Sequence, residues 1–287
     1  MADGRGPAPE PRPAGGSDGP VPRQRSVGRI AVGVERLGGA SRIVRVGESG
    51  PLRLRLPTIR EGAPEGVVVN TAGGLACGDD MEVSAEIGEG AALVLTAAAA
   101  EKAYRSTGPT TRVATRLTVE AGGTIEWLPQ ETILYDRARL HRRLDVDLHP
   151  SASALLLEAI VFGREAHGET VREGSFRDVW RVRRGGRLVF AESVRLEGAI
   201  ADRLARPAIG GGNRALATLI HVSPDAELRL EEAREHLAGS AAECGATAFG
   251  GLLVVRWLAP TIGALRRDVA RFMTAYRGRP LPRVWST

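Results

Sequence analysis

The sequence predicts a mainly β fold, a large antiparallel β architecture of many short strands with two α-helices near the C-terminus. Three observations support this prediction. Short segments such as Leu52–Leu56 alternate apolar and polar residues, which places one face in a core and the other in water. Glycine-rich turns separate these segments. No alternation of strands with helices is visible before residue 220, so a doubly wound fold is not expected.

The segments with strand patterning follow one another along most of the chain. They are Arg29–Arg36, Arg42–Val46, Leu52–Leu56, Val67–Asn70, Met81–Ile87, Ala91–Thr96, Arg112–Glu120, Thr124–Leu128, Arg142–Leu148, Ala154–Val161, Phe176–Arg183 and Arg187–Arg195. The turns between them include 88–90, 121–123 and 184–186, each with two glycines. A later apolar run, Gly250–Leu258, is typical of a buried strand.

The last third of the chain carries the two predicted helices. The first begins at Ser223 and Pro224 and ends near Gly239. Its apolar face consists of Ala226, Leu230, Ala233 and Leu237. The second ends at Gly278, before Pro280. Its apolar stripe consists of Ile262, Leu265, Val269, Phe272 and Tyr276.

The chain divides into a tail and one domain. Residues 1–26 hold six prolines and five glycines with almost no apolar side chains, so we predict a disordered tail whose deletion leaves folding and function intact. Residues 27–287 form the predicted domain. We expect a cytoplasmic protein, because Cys77 and Cys244 are too few for a disulfide framework and no apolar run is long enough to span a bilayer.

The net charge of +5 raises the possibility of an RNA-binding β protein. Two features argue against it: cations and carboxylates are interspersed along the chain, and aromatic residues make up only 4%. Lys102, the only lysine, follows Glu101 in an alanine run, so there is no Walker A motif for a nucleotide.

The segment from Gly123 to Leu140 carries the most distinctive pattern, since charged and large apolar residues alternate after a short strand. Pro129 must end that strand because it lacks an amide donor. Glu131 and Asp136 follow, with cations at Arg137 and Arg139. The pattern fits a salt-bridged corner of the core, and it also leaves open a hydrolase that uses Glu131 and Asp136 as a carboxylate pair.

Two further groups of residues are candidates for chemistry. If extended, Glu165, His167 and Glu169 share one face and offer nitrogen and oxygen ligands to a first-row metal ion, but the alternating charges favour a solvated strand. Glu101, Lys102 and Arg105 form a charged group after a strand. No spacing typical of a zinc or nickel cage is present.

The motifs together resemble the urease accessory protein UreD family, called UreH in some organisms. The resemblance rests on long motifs in the same order: NTAGGLACGDD at Asn70–Asp80, AAEKAYRS at Ala99–Ser106, EWLPQETILYDRARL at Glu126–Leu140, FGREAHGE at Phe162–Glu169, FRDVWRVRRGGRLVFAESVRLEG at Phe176–Gly198 and GRPLPRVW at Gly278–Trp285. The chain departs from the usual family residues at Cys77, Ala97, Ala98 and His167.

The resemblance implies a non-enzymatic scaffold that binds apo-urease. With UreF and the GTPase UreG it would form a dimeric complex that delivers nickel to the urease active site. It would bind neither nucleic acid nor a membrane. The resemblance also implies an internal, water-filled tunnel for transient nickel(II), with no tightly bound cofactor. Such a route needs weak polar sites, because an ion held by several strong ligands could not move on.

The candidate route residues follow from this implied role. Carboxylates at strand ends and turns are the best candidates, and we predict Asp80, Glu131, Asp136 and Glu169. The predicted counter-charges are Arg137, Arg139 and Arg164, and Glu101, Lys102 and Arg105 are expected to support the route.

Overall fold

The structure, a computed structural model, describes residues 25–59 and 62–286. The predicted tail therefore lies almost entirely outside the described residues, and its role stays a prediction. Within the described part the strands are β1 (Val27–Leu37), β2 (Ala40–Ser49), β3 (Leu52–Arg55), β4 (Glu65–Asn70), β5 (Asp80–Ile87), β6 (Ala92–Ala97), β7 (Glu101–Ala103), β8 (Thr111–Val119), β9 (Thr124–Leu128), β10 (Thr132–Leu134), β11 (Arg139–Leu148), β12 (Ser153–Phe162), β13 (Glu173–Arg184), β14 (Arg187–Ala199), β15 (Ala215–Val222), β16 (Glu243–Phe249) and β17 (Leu252–Ala259).

Helices contribute far less of the described chain. The α-helices are α1 (Ile200–Leu204), α2 (Leu230–Leu237) and α3 (Ile262–Arg277), and 3-10 turns lie at Glu165–His167, Ala226–Arg229 and Arg283–Ser286. The prediction of a mainly β fold with two late helices is confirmed.

The strands form two facing sheets. Sheet A has the order β14-β13-β11-β8-β5-β1-β2, and sheet B has the order β16-β17-β15-β12-β9-β6-β4-β3, with the short β7 and β10 beside β12. Alternate side chains of both sheets, such as Val83, Leu117, Leu156 and Val254, meet in a core between the sheets. Alternation of apolar residues along each strand is the physical basis of this sandwich.

Strand pairing differs from the antiparallel expectation. From β4 to β13 the chain passes back and forth between the sheets. Each time it returns to a sheet, the new strand pairs in parallel with the previous strand of that sheet, as β8 does with β5 and β11 with β8. Sheet B has the same parallel pairing of β4, β6, β9 and β12. Antiparallel pairs, such as β1 with β2 and β13 with β14, lie toward the edges. Alternation specifies the buried face of a strand but neither its neighbour nor its direction.

The glycine turns explain this difference. The turn at 184–186 does form a hairpin between β13 and β14. The turns at 88–90 and 121–123 instead carry the chain from sheet A to sheet B, joining β5 to β6 and β8 to β9. A glycine pair therefore marked each reversal correctly without indicating which sheet receives the next strand.

Helices α2 and α3 pack on the outer face of sheet B, whereas α1 packs on β13 and β14 of sheet A. Thr261 caps α3 by accepting a hydrogen bond from the Ala264 amide at 3.1 Å, and Gly278 ends it in the left-handed conformation at φ 64°. The predicted stripe of α3 is buried against Leu253, Val255 and Trp257 of β17. The first predicted helix begins later than expected, since 226–229 is a 3-10 turn and α2 starts at Leu230. The strands β15 and β17 of sheet B are thus buried on both faces.

Candidate functional site

A cavity of about 90 Å³ lies between the two sheets, and we call it the interior chamber. Its polar lining consists of Glu101, Thr115, Gln130, Thr132, Arg142 and Glu158. Apolar residues of both sheets, including Val83, Val113 and Trp127, complete the wall. This volume is sufficient for several water molecules, each of which needs roughly 10–15 Å³.

The chamber lies where the strands of sheet B are interrupted. β12 pairs with β9 through Ser153–Leu156 and with β10 through Ile160–Phe162, and Pro129 to Glu131 separate those two short strands. Pro129 has no amide hydrogen to continue the ladder, so the chain leaves the sheet there. The interruption lies beside the middle of β12, where Glu158 points into the core.

Arg142 joins the two sheets across the chamber. Its guanidinium donates to Glu158 at 2.7 Å, to Asp178 at 2.5 Å and to the Thr132 hydroxyl at 3.0 Å. Only 8% of the Arg142 side chain is exposed. Burial acts to lower the pKa of Arg142, but the two carboxylates outweigh this effect and raise it. Arg142 therefore stays charged inside the core.

The two chamber glutamates respond to burial in the opposite way. Burial raises the pKa of Glu158, although Arg142 and the Trp127 indole, which donates at 2.8 Å, act to lower it. Burial likewise raises the pKa of Glu101, against the hydrogen bonds that Asn70 donates to both of its oxygens. Both carboxyl groups therefore hold a proton more readily than an exposed glutamate does.

Two polar atoms at the chamber have no hydrogen-bond partner among the described residues: Gln130 Oε1 and Arg142 Nε. The other end of Gln130 donates to the Val284 carbonyl at 3.0 Å. Buried polar atoms of this kind are normally satisfied by protein or by water. The free carbonyl and the volume beside it together favour a hydrated chamber.

A layer of charged side chains extends from the chamber toward the open edge of the sandwich. We call it the polar layer, and it consists of Glu101, Arg142, Glu158, Asp178, Glu192 and Arg256. Asp178, bound to Arg142, also acts to raise the pKa of Glu192, whose main cause is burial. Glu192 forms an ion pair with Arg256 of sheet B. These two residues and Thr218 line a groove of about 270 Å³ between the edges of the sheets. Charged residues thus extend from the chamber through the core to this edge groove.

The C-terminal segment packs against residues 129–136, which follow β9 and which we call the proline loop. Glu126 is bound by Arg277 at 2.6 Å and by Arg279 at 2.9 Å. The Trp285 indole donates to the Leu128 carbonyl at 3.2 Å. The motifs at Glu126–Leu140 and Gly278–Trp285 are therefore in contact, although they lie far apart in the sequence.

The predicted route residues have partners of their own. Asp80 lies 3.0 Å from Arg29, and Glu131 lies 3.3 Å from Arg266. Asp136 accepts hydrogen bonds from the amides of Arg172 and Glu173 at 2.8 and 3.1 Å. The same contacts are expected if these residues only stabilise the fold. Their role in a metal route therefore stays a prediction.

The loop after β12 brings Glu169 close to Asp136, and a hydrogen bond from the Asp136 backbone acts to lower the pKa of the Glu169 carboxylate. Glu169 pairs with Arg164 at 2.8 Å. Partial burial acts to raise the pKa of Glu169, but these hydrogen bonds outweigh it and lower the pKa. The triplet Glu165 to Glu169 is not extended, because 165–167 is a 3-10 turn.

The other predicted cations are placed differently. Arg137 lies 3.8 Å from Glu173, and Arg139 donates to the Gly108 carbonyl at 3.2 Å, so neither pairs with Glu131 or Asp136. Among the predicted supporting residues, Glu101 lines the chamber. Lys102 is exposed, and Arg105 lies beside Arg137 and Arg139 on the rim of a separate surface cavity.

Five members of the polar layer were absent from the prediction: Arg142, Glu158, Asp178, Glu192 and Arg256. A signal for the first three was available, because each interrupts the apolar phase of its strand. Arg142 occupies the phase of Leu140, Leu144 and Val146, all of which are buried. A charge in the buried phase requires a partner on a facing strand, and that partner cannot be read from one strand alone.

No group of three or more histidine, cysteine, aspartate or glutamate side chains that could hold a metal ion occurs in residues 25–59 and 62–286. Over the same residues, none of the helices combines the length and apolar content needed to cross a membrane. The fold and the site define a mainly β protein with a polar chamber inside its apolar core.

Comparison with known proteins identifies the particular family. The family profile described as UreD urease accessory protein matches residues 26–286. The urease accessory protein UreD of Methylobacterium sp. (strain 4-46) is 57% identical over 271 residues, which are 92% of this chain and 96% of that protein. The protein of the same name from Azorhizobium caulinodans is 53% identical over 264 residues, covering 92% and 97% of the two chains. The chain belongs to the UreD family of urease accessory proteins.

Proposed function

We propose that this protein is a non-enzymatic urease maturation factor. It binds apo-urease and, together with UreF and the GTPase UreG, delivers nickel(II) to the urease active site. Its membership of the UreD family supports a role in urease maturation, and its relatives are named accessory proteins. Unpaired Cys77 and Cys244 support a cytoplasmic setting, where thiols stay reduced.

The interior chamber is the observation that carries the nickel part of this proposal. Nickel(II) enters as cargo, with water and carboxylate oxygens as its ligands, and it leaves again because no strong cage holds it. The polar layer contains four carboxylates, Glu101, Glu158, Asp178 and Glu192, against the guanidiniums of Arg142 and Arg256. When ionised, these groups give the layer a net negative charge that favours a divalent cation.

We further propose a path from the chamber along the polar layer to the edge groove. The wall is apolar apart from these polar side chains, which keeps the passage from becoming a permanent binding site. The proline loop, with Glu131 and Asp136, lies next to the chamber, since the Glu101 amide donates to the Glu131 carbonyl at 2.9 Å. The predicted route residues in this loop are proposed to guide nickel to the chamber entrance.

The test is the amount of nickel per urease active site after activation with purified components. Thr115→Leu places a larger apolar group in the chamber, whereas Thr118→Leu on the same strand changes an exposed outer position. We expect Thr115→Leu to lower nickel loading while leaving complex formation, measured by pull-down, intact. Thr118→Leu should behave like the wild type. Equal loading by both variants would contradict the chamber as the route.

Glu131→Ala and Asp136→Leu test the predicted loop residues in the same assay. Lower nickel loading with normal pull-down yield supports a place on the route. Loss of the complex as well would show that these carboxylates act through their structural partners, Arg266 and the amides of Arg172 and Glu173. The protein alone should hydrolyse neither GTP nor urea.

A further inference from the structure

A row of basic side chains, three arginines and one histidine, crosses four neighbouring strands on the outer face of sheet A. Arg112 lies directly opposite His141, His141 opposite Arg177, and Arg177 opposite Arg195, on β8, β11, β13 and β14. We call these four residues the cation row. With neighbouring strands about 4.8 Å apart, the row is about 14 Å long. The three arginines are exposed to solvent.

The cation row has few carboxylates of its own. Arg195 pairs with Glu197 at 2.8 Å, but neither Arg112 nor Arg177 forms an ion pair within the described residues. The row ends at Asp80, which lies opposite Arg112 and is bound to Arg29. Four residues further along the same strands the pattern is different, because Arg116, Asp145 and Arg181 alternate in sign.

Arg177 and Arg195 lie directly opposite each other, and like charges so placed destabilise a sheet. The pKa of His141 is lowered by partial burial first, and then by Arg177, Arg112 and Arg143, so this imidazole holds a proton less readily than an exposed histidine does. The free protein thus maintains an arrangement that its own fold does not favour. Such a cost is expected where the surface is complementary to another molecule.

We propose that the cation row docks an acidic segment of a protein partner in urease maturation. This inference rests on the proposed function, which supplies such partners. Carboxylates three and four residues apart on a helix are about 5–6 Å from one another, close to the spacing of the row. A nucleic acid fits less well, because the row contains no aromatic side chain for base stacking. Its length of about 14 Å also offers only a short track for phosphates.

The test compares two double variants with the same change in net charge on the same two strands. Arg112→Ser with Arg177→Ser removes two members of the cation row. Arg116→Ser with Arg183→Ser removes two arginines of β8 and β13 that have carboxylate neighbours, Glu82 and Asp147. Binding of the full chain to purified apo-urease and to a purified UreF–UreG mixture is measured at low and high ionic strength, with a single-stranded RNA as a further probe.

We expect the first double variant to bind one of the protein partners about tenfold more weakly at low ionic strength, with a smaller difference at high salt. Its thermal stability should equal or exceed that of the wild type, because repulsion between like charges is relieved. A residue that only supports the fold would instead lower stability when removed. The control double variant should retain binding.

Equal binding of both double variants to every protein partner, or an equal loss in both, would overturn the inference. Tight binding of RNA that depends on the cation row would replace the protein partner with a nucleic acid and would overturn it as well. If the wild type binds none of the proteins, the proposed function fails together with the inference. If it binds and the first double variant binds equally, only the inference fails.

Discussion

Arg142→Met is the perturbation whose effect the structure defines most sharply. Methionine fills much of the same volume but leaves Glu158 and Asp178 buried without their cation. Each charge-assisted hydrogen bond contributes about 1.5–3 kcal/mol, and removing one partner of a buried ion pair costs about 3–5 kcal/mol. We therefore expect the free energy of unfolding to fall by about 3–5 kcal/mol at neutral pH, measured by urea denaturation. Binding of partners should weaken only as far as the folded population falls.

The pH dependence of this loss identifies its cause. Burial raises the pKa of Glu158 and Arg142 opposes that effect, so removing Arg142 leaves only the Trp127 hydrogen bond to oppose burial. The folded variant then binds more protons than the unfolded chain above the ordinary pKa of 4.5, and its stability falls as pH rises through that window. The deficit should be smaller at pH 5 than at pH 8.

A matched control is Arg143→Met, one residue away on the solvent face, where the arginine pairs with Asp145. We expect a change within about 0.5 kcal/mol, as is usual for exposed positions. A loss below about 1 kcal/mol for Arg142→Met would refute the argument, because a buried pair should cost several times more when broken. A loss that is the same at pH 5 and pH 8 would refute the electrostatic explanation.

Three further changes test individual features. Glu101→Gln should match or exceed the wild type in stability at pH 8, with the difference shrinking toward pH 5, because burial raises the pKa of Glu101; urea midpoints across this range measure it. His221, whose pKa burial lowers to about 4, should make the protein roughly 2 kcal/mol less stable at pH 5 than at pH 7, and His221→Gln should remove this slope in the same assay. Gly74→Ala should cost about 2 kcal/mol or more, since its Cβ would lie 2.8 Å from the Lys102 carbonyl and 2.5 Å from Tyr104 Cε2 at φ +149°. Gly73→Ala, with open space around the new Cβ, should cost less by thermal melting; equal losses would contradict the steric argument.

Local patterns in the sequence were sufficient for the mainly β class, most strand positions and the apolar stripe and C-terminal end of α3. Their success has a physical reason: side-chain alternation, glycine at reversals and the Gly278 cap act over a few residues. The same patterns missed β7, β10, β15 and β16. Strands β7 and β10 have only three residues each. Strand β15, which lies before the first predicted helix, shows no alternation of apolar and polar residues because both of its faces are buried.

The sequence by itself determined which faces are buried and, through its long motifs, the family. Only the tertiary structure decided that Glu101, Arg142 and Glu158 meet in one chamber. These residues are far apart in the sequence. Their contact depends on the parallel pairing of strands within each sheet and on the interruption between β9 and β10, both of which pair with β12. A charged residue at a strand position that faces the core indicates that a partner must exist. Which strand supplies it is set by the register between sheets, a long-range property that no local pattern encodes.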